Sequence, residues 1–406
     1  MASQGQTFIR LSAEGKLLPQ EEMLEVSRQK KNMLIGVPKD TSFQENRVAL
    51  VPEAVNLLVN NGHEVLVETQ AGKASHFEDH EYSEAGAKIV YSAKEVYLAD
   101  LILKVAPPSL EEIEMMHEKQ FLFSALHATV HDKEYFRAMM EKKLTTIAFE
   151  NLKDDCNTYP IVRSMSEIAG NTAILLAAEY LSNVNNGKGL ILGGISGVTP
   201  TEVVILGAGT VGEFAARSAM GLGAVVKVFD NSIHKLRNLQ SRLGTRIFTS
   251  IIQPKVLQKA LMRADVVIGA LNAHGKRTPC VVTEAMVSEM KAGSVIVDVS
   301  IDQGGCFETS RVTNHSDPIF KKFDVIHYCV PNIPSRVART ASYALSNVLA
   351  PILLNIGEEG GFEILLKRDP GVRNGVYLFN GILTNSFVGE TYGIAYKDID
   401  LLMAAF

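Results

Sequence analysis

Several features are scarce or missing from this chain, and each absence narrows its class. Only four of the 406 residues are cysteine, at positions 156, 280, 306 and 329. None stands at CxxC or zinc-ligand spacing, so they read as reduced thiols of a cytoplasmic protein. No apolar run reaches the roughly 18 residues that a membrane span needs, and Glu179 interrupts the most apolar helical stretch. The first thirty residues mix acids, bases and leucines without an apolar centre, which excludes the pattern of a secretory signal. Long basic runs are absent and the formal net charge is −5. A nucleic-acid partner is therefore not expected, and neither is a membrane partner. No two histidines combine with an acid at metal-ligand spacing, so no metal is expected.

What is present is ordinary globular composition, with 46% hydrophobic and 21% charged residues. The length favours two domains. Residues 1–32 read as an extension, with a polar helix starting near Pro19. From residue 33, strands and helices alternate. Strands are expected at 33–37, 64–68, 101–105, 121–126 and 145–149, with helices at 52–60, 93–98, 111–118 and 132–142. Short connections between alternating elements imply a mainly parallel, doubly wound α/β sheet. A long helix is expected over 164–183, followed by a Gly- and Asn-rich loop. A second α/β series then begins, with later strands at 266–271, 294–299 and 324–330. A second long helix follows Pro334 and runs to about residue 356. The fold class is thus α/β, with two Rossmann-like domains, a cleft between them and two long linking helices. The first domain takes residues 33–163 and 339–406, and the second takes 164–338.

Residues 201–230 organise the second domain. Their sequence, TEVVILGAGTVGEFAARSAMGLGAVVKVFD, has the order strand, glycine turn, helix, strand, acid. That is the pattern of a dinucleotide-binding βαβ unit. Gly207 suits the tight turn, Gly209 the approach of a pyrophosphate, and Gly212 the close packing of helix on strand. The helix N-terminus would face the phosphates, and Asp230 would accept hydrogen bonds from a ribose.

Ligands of open α/β sheets lie beyond the C-terminal strand ends. Polar residues gather there: Arg47 after the first strand, then Lys104, His127 and Glu150, and in the second domain Asp302 and Asn332. Singly, each is more simply a solvated or structural residue. Together they could clamp a carboxylate between two cations, shuttle a proton through histidine and activate water. Cys306 lacks an accompanying base and reads as a small buried residue. His63, His76, His80, His117, His131 and His234 read as surface or helix residues.

The segments IGVPKDTSFQENRVALVPEAV, LILKVAPP, ALH, MSEIAGNTA, GAGTVG, VDVSIDQGGC and YCVPNIP together resemble the alanine dehydrogenase family (alanine dehydrogenase/transhydrogenase N-terminal family) from about residue 33 onward. The resemblance implies NAD as cofactor and reversible oxidative deamination of L-alanine to pyruvate and ammonia. It also implies a cytoplasmic homohexamer. Arg47 and Lys104 match substrate-binding positions. His127 matches the catalytic acid/base and Asp302 the catalytic aspartate. Ser166, Gly207, Gly209, Gly212, Asp230, Lys235, Val330 and Asn332 match cofactor-binding positions. Four features depart from the family pattern: a basic loop at 272–279, a short region at 72–82, Phe149 where tyrosine is common, and the extension itself. Two other functions fit a chain of this kind, a nucleotide-binding subunit of a transhydrogenase and a catalytically silent NAD-binding protein. The acid of IDQGG and the MSEIAG run count against the first. The joint presence of Arg47, Lys104, His127 and Asp302 counts against the second.

Overall fold

The computed structural model describes residues 31–127, 130–272 and 277–405. Residues 1–30 of the extension and the middle of the 272–279 loop lie outside these residues. The first half builds strands β1 (Leu34–Val37), β2 (Glu64–Glu68), β3 (Lys88–Val90), β4 (Leu101–Leu103), β5 (Phe121–Ser124) and β6 (Thr145–Ala148). The second series builds β7 (Glu202–Leu206), β8 (Val225–Phe229), β9 (Phe248–Ser250), β10 (Val266–Gly269), β11 (Val295–Asp298), β12 (Ile319–Lys322) and β13 (Val325–Tyr328). Two strands near the end of the chain, β14 (Val376–Phe379) and β15 (Ile382–Leu383), complete the set.

The first sheet has the order β15-β14-β6-β5-β4-β1-β2-β3, and the second β12-β13-β11-β10-β7-β8-β9. Within β1–β6 all pairs are parallel, and the same holds for β7–β11 with β13. Antiparallel pairing is confined to the margins, at β14 against β6 and β15, and at β12 against β13. Each parallel core follows the doubly wound 3-2-1-4-5-6 order, so each has one point where the winding reverses. In the first sheet this lies between β1 and β4, and in the second between β7 and β10.

The sequence explains why these strands sit centrally. β10, β11 and β13 are buried at every position, as expected of parallel strands covered on both faces. Successive residues feed opposite faces. Ile35, Val65, Val67, Leu101 and Leu103 pack on one side of the first sheet, whereas Leu66, Ile102 and Leu122 pack on the other. The second sheet divides likewise, with Val203, Ile205 and Val228 against Val204, Leu206 and Phe229.

Two long helices join the layers. The first, Pro160–Leu181, begins earlier than expected because Pro160 occupies its first turn, where no N–H is needed. The second, Ala338–Glu358, follows a short 3-10 segment, and the continuous stretch Ile333–Glu358 is long and apolar enough to cross a membrane. The sequence reading found no such run, since serine, threonine and asparagine dilute its leucines without charging it. In the fold it is a core helix, with Leu345, Leu349, Leu353 and Ile356 buried in the first domain. Its Ser342 and Ser346 hydroxyls accept the N–H groups of Val48 and Val51, each at 2.9 Å. His63 also differs from its surface reading. It is buried, and its Nδ1 accepts the Met33 N–H at 3.3 Å.

Ser346 additionally donates to the Ala49 carbonyl at 3.1 Å. Ser346→Ala leaves a buried donor and acceptor without this partner and should lower stability by about 1–3 kcal/mol. Urea unfolding of the variant should show the lowered midpoint; an unchanged midpoint would mean these groups find water.

Candidate functional site

Candidate residues follow the strands at both reversal points. In the second sheet, Gly207 follows β7 with φ of 117°, a conformation that favours glycine. A Cβ at Gly207 would strike the Ala270 carbonyl oxygen at the end of β10, and one at Gly212 would strike the Gly207 carbonyl oxygen. The fold itself requires both glycines. At Gly209 a Cβ would meet nothing within 4 Å. This open position is the N-cap of helix Thr210–Gly221, and no side chain caps it. The first-turn N–H groups therefore remain available for an anion. This cradle fits the pyrophosphate of a dinucleotide.

Asp230 follows β8. Its carboxylate accepts the Ala208 N–H at 2.8 Å and the Ser232 N–H at 2.7 Å. It therefore ties the glycine turn to the neighbouring strand, a structural task that the sequence reading did not foresee. Each oxygen still has a lone pair for a ribose hydroxyl. Lys235 is half-buried in the first turn of helix Ile233–Leu243, and Ser166 is half-buried on helix Pro160–Leu181. Val330 is fully buried beyond β13.

The facing side is built from the first domain. Arg47 donates from Nε and Nη2 to the two oxygens of Glu45, at 2.7 and 2.5 Å. The Asn332 side chain donates to the same Glu45 at 3.0 Å, and the Asn332 backbone N–H donates to Asp302 Oδ1 at 3.0 Å. Asn332 has φ of 54°, so one residue can aim its backbone at one partner and its side chain at another. A continuous chain of polar contacts thus runs Arg47–Glu45–Asn332–Asp302 across the two domains.

Asp302 is exposed in this chain, yet the protein around it displaces part of its bulk water. Loss of bulk water raises its pKa above the ordinary carboxylate value. The Asn332 N–H and the positive charges of His127 and Arg47 offset part of that rise. For Glu45, burial also pushes upward, but the bonds from Arg47 and Asn332 outweigh it and hold the carboxyl below its usual range. His127 is exposed, with φ of 42°, and its backbone N–H donates to Glu150 at 2.7 Å. Glu150 also accepts the Leu126 N–H at 3.3 Å. It braces the histidine turn, where the sequence reading had included it among groups able to activate water.

Lys104 is 1% exposed. Its ammonium lies 2.7 Å from both oxygens of Glu112 and 3.7 Å from Asp40. The expected substrate cation therefore sits behind its own counter-ions, and Arg47 is the cation that reaches toward Asp302. Beside Arg47 lies a cavity of about 220 Å³ lined by Lys39, Asp40, Glu45, Gln70 and Lys73.

Asp298, at the end of β11, supports the Asp302 turn from below. It accepts the N–H groups of Ser300 and Cys306 at 3.1 Å and the Ser310 hydroxyl at 2.6 Å. Burial pushes its pKa up to about 6 against the pull of those bonds. Cys306 is fully buried beside it, and burial raises its thiol well above the ordinary value, consistent with a packing residue. Of the basic loop, Thr278 donates its N–H to Gln303 O at 2.8 Å, and the Arg277 side chain lies against Gly304. Residues 273–276 lie outside the described set. Among the described residues no group of three His, Cys, Asp or Glu is disposed to hold a metal.

Two sheets in Rossmann order, joined by two long helices, define a two-domain Rossmann-like protein. Sequence comparison narrows the class. The alanine dehydrogenase/PNT N-terminal domain family matches residues 36–169, and the corresponding C-terminal domain family matches residues 173–386. An alanine dehydrogenase of Methanococcus maripaludis is 42% identical over 366 residues, covering 90% of this chain and 98% of that one. Another from Staphylococcus saprophyticus is 40% identical over 369 residues, covering 91% and 99%. A solved L-alanine dehydrogenase superposes with a TM-score of 0.84 at 38% identity, covering 89% of this chain and all of that one. A transhydrogenase from Sinorhizobium meliloti superposes with 0.75 at 25% identity, covering 87% and 99%. The chain belongs to the alanine dehydrogenase/PNT family.

The three glycines separate two effects. Gly209→Ala should keep the wild-type melting temperature while weakening dinucleotide binding at least about tenfold, because the methyl enters the space left for phosphate. Gly212→Ala should lower the melting temperature itself. Thermal unfolding and cofactor fluorescence titration check both; a Gly209→Ala protein that binds normally would move the phosphate site elsewhere.

Proposed function

We propose that this protein is an NAD-dependent amino-acid dehydrogenase that reversibly converts L-alanine to pyruvate and ammonia. The observation that carries the reading is the chain of hydrogen bonds Arg47–Glu45–Asn332–Asp302, which links a cation of the first domain to the acid of the second. In this reading residues 164–338 form the NAD domain, and residues 33–163 with 339–406 form the substrate domain. The position of Asp230 beside the glycine turn supports NAD, since a carboxylate there repels a 2′-phosphate. Gly207, Gly209 and Gly212 would hold the pyrophosphate, while Ser166, Lys235, Val330 and Asn332 would line the rest of the cofactor. NAD, when bound, supplies the hydride acceptor.

The chain supplies the remainder. Arg47 has the fork geometry to hold the substrate carboxylate. Lys104 adds positive potential behind it, its charge shared with Glu112. Asp302, when ionised, can draw a proton from water attacking the substrate imine. His127 can pass a proton to the departing ammonia. Enclosure between domains sets distance and angle and limits bulk water. A homohexameric assembly and a cytoplasmic location come with the family resemblance and belong to this proposal.

The likeness to a transhydrogenase sustains a second reading, hydride exchange between nucleotides without an amino acid. A panel of small L-amino acids, 2-oxo acids with ammonia, and NAD and NADP forms separates the two. NADH should form with L-alanine at alkaline pH. His127→Ala or Asp302→Asn should reduce the rate by at least about 10²–10⁴-fold, and full activity in either variant would reject these roles.

The raised pKa of Asp302 predicts a pH dependence with a definite sign. Activity that needs the carboxylate falls as pH drops through the raised pKa. The acidic limb of kcat/KM should therefore lie above the ordinary carboxylate range. Stopped-flow rates across pH would contradict this if the limb fell at an unperturbed carboxylate value.

A further inference from the structure

We propose that Glu45 is the positioning residue that aims Arg47 at a substrate carboxylate and ties that aim to the opposite domain through Asn332. The proposal rests on the amino-acid dehydrogenase reading above. A guanidinium offers two hydrogen-bonding edges, a side edge made by Nε and Nη2 and an end edge made by Nη1 and Nη2. Glu45 fills the side edge with both oxygens, at 2.7 and 2.5 Å, and Oε1 also accepts the Arg47 backbone N–H at 3.0 Å. The end edge remains, where Nη1 meets the Met165 sulfur at 3.4 Å, a weak acceptor that a carboxylate would displace.

Glu45 therefore leaves a single bidentate edge for the substrate, and that edge sets the orientation of its Cα. The two side chains are only 12% and 5% exposed for Arg47 and Glu45. Removing the acid would leave a guanidinium charge largely withdrawn from water, which is costly and invites the substrate onto the wrong edge. The second half of the device is Oε2, which also accepts the Asn332 amide. Asn332 holds Asp302 through its backbone. The cation that would bind substrate and the acid that would activate water thus share one relay, which crosses between the domains at Glu45 and Asn332.

A polarity swap tests this. Glu45→Gln keeps the size but turns an amide donor toward the Asn332 amide. Asn332→Asp alone sets two carboxylates against each other. The double variant restores the bond to residue 332 with donor and acceptor exchanged, although its amide nitrogen then replaces the Oε2 that also accepts Arg47 Nη2. Each single variant should raise KM for pyruvate at least tenfold, and Glu45→Gln, which lies outside the cofactor-lining positions, should change NADH affinity of the substrate-free protein less than threefold. The double variant should lose less than the sum of the two single losses, because the link to residue 332 returns while one Arg47 contact stays broken. Titration calorimetry of pyruvate into the NADH-loaded protein reads the same pair without turnover. Unchanged pyruvate affinity in both singles, or losses that simply add in the double, would overturn the role of Glu45. A wild type that binds pyruvate but turns over no amino acid would count against the proposed reaction alone, and the swap would still decide the relay. A wild type that binds no pyruvate would overturn both.

Discussion

The backbone of residues 44–51 has no regular structure, and serine hydroxyls hold it in place. Ser335 accepts the Asn46 N–H at 2.9 Å and donates to the Gln44 carbonyl at 2.7 Å. Ser342 and Ser346 take the N–H groups of Val48 and Val51. Buried backbone groups must find partners, and here the partners come from a helix almost three hundred residues downstream. The return of the chain after the second Rossmann-like domain is therefore more than a topological closure. It supplies the hydroxyls that shape the loop carrying Glu45 and Arg47. Helix Ala338–Glu358 is apolar where it packs and hydroxylated where it meets that loop, and a single helix thereby joins core and site.

The same loop also organises the charges. Arg47 and Lys104 both follow strands that flank the reversal point of the first sheet, and each is matched by a carboxylate of its own chain, Glu45 and Glu112. Isolated buried cations would be strongly unfavourable, so pairing is a condition of placing them there. The pairings differ in kind. Glu112 encloses an ammonium that is almost fully buried, whereas Glu45 covers one edge of a planar group and leaves the other. Point charge and fork thus have different consequences under the same neutralisation, and the fork is the one that can still present a defined edge to a ligand.

Much of the architecture was legible because parallel strands buried on both faces are written as continuous β-branched runs. β7, β10 and β11 stand out for that reason, as does the helix beginning at Pro52. The short marginal strands β3, β9, β12, β14 and β15 were not legible. Lys88, Lys321 and Lys322 interrupt their apolar character, and β14 and β15 are antiparallel additions to a parallel core. Positions of the site candidates at strand ends followed from the alternation of elements. Their pairings did not, because Glu45 meets Asn332 across 287 residues of sequence and no local spacing encodes that. Glu112 might have been suspected from the capping pattern of Ser109 with an acid three residues on, but that pattern accounts for only part of its work. His63 misled for the opposite reason, since its neighbours Asn61, Gly62 and Glu64 look like a surface turn while its ring closes a backbone gap at Met33.

The basic loop at 272–279 acquires a different meaning from its surroundings. Read as sequence, it bears on the choice of cofactor. In the fold its described end rests on the turn that carries Asp302, through Thr278 to Gln303 and Arg277 against Gly304. Gly304 and Gly305 have φ of 95° and 77°, so this turn favours glycine, and Asp298 fastens it from beneath. With Asp298 below, Arg277 and Thr278 on one side and Asn332 on another, the position of Asp302 is set by its neighbours more than by its own short segment. A change in the loop is therefore transmitted first to the carboxylate of Asp302, whereas Asp230 is bonded into the glycine turn itself.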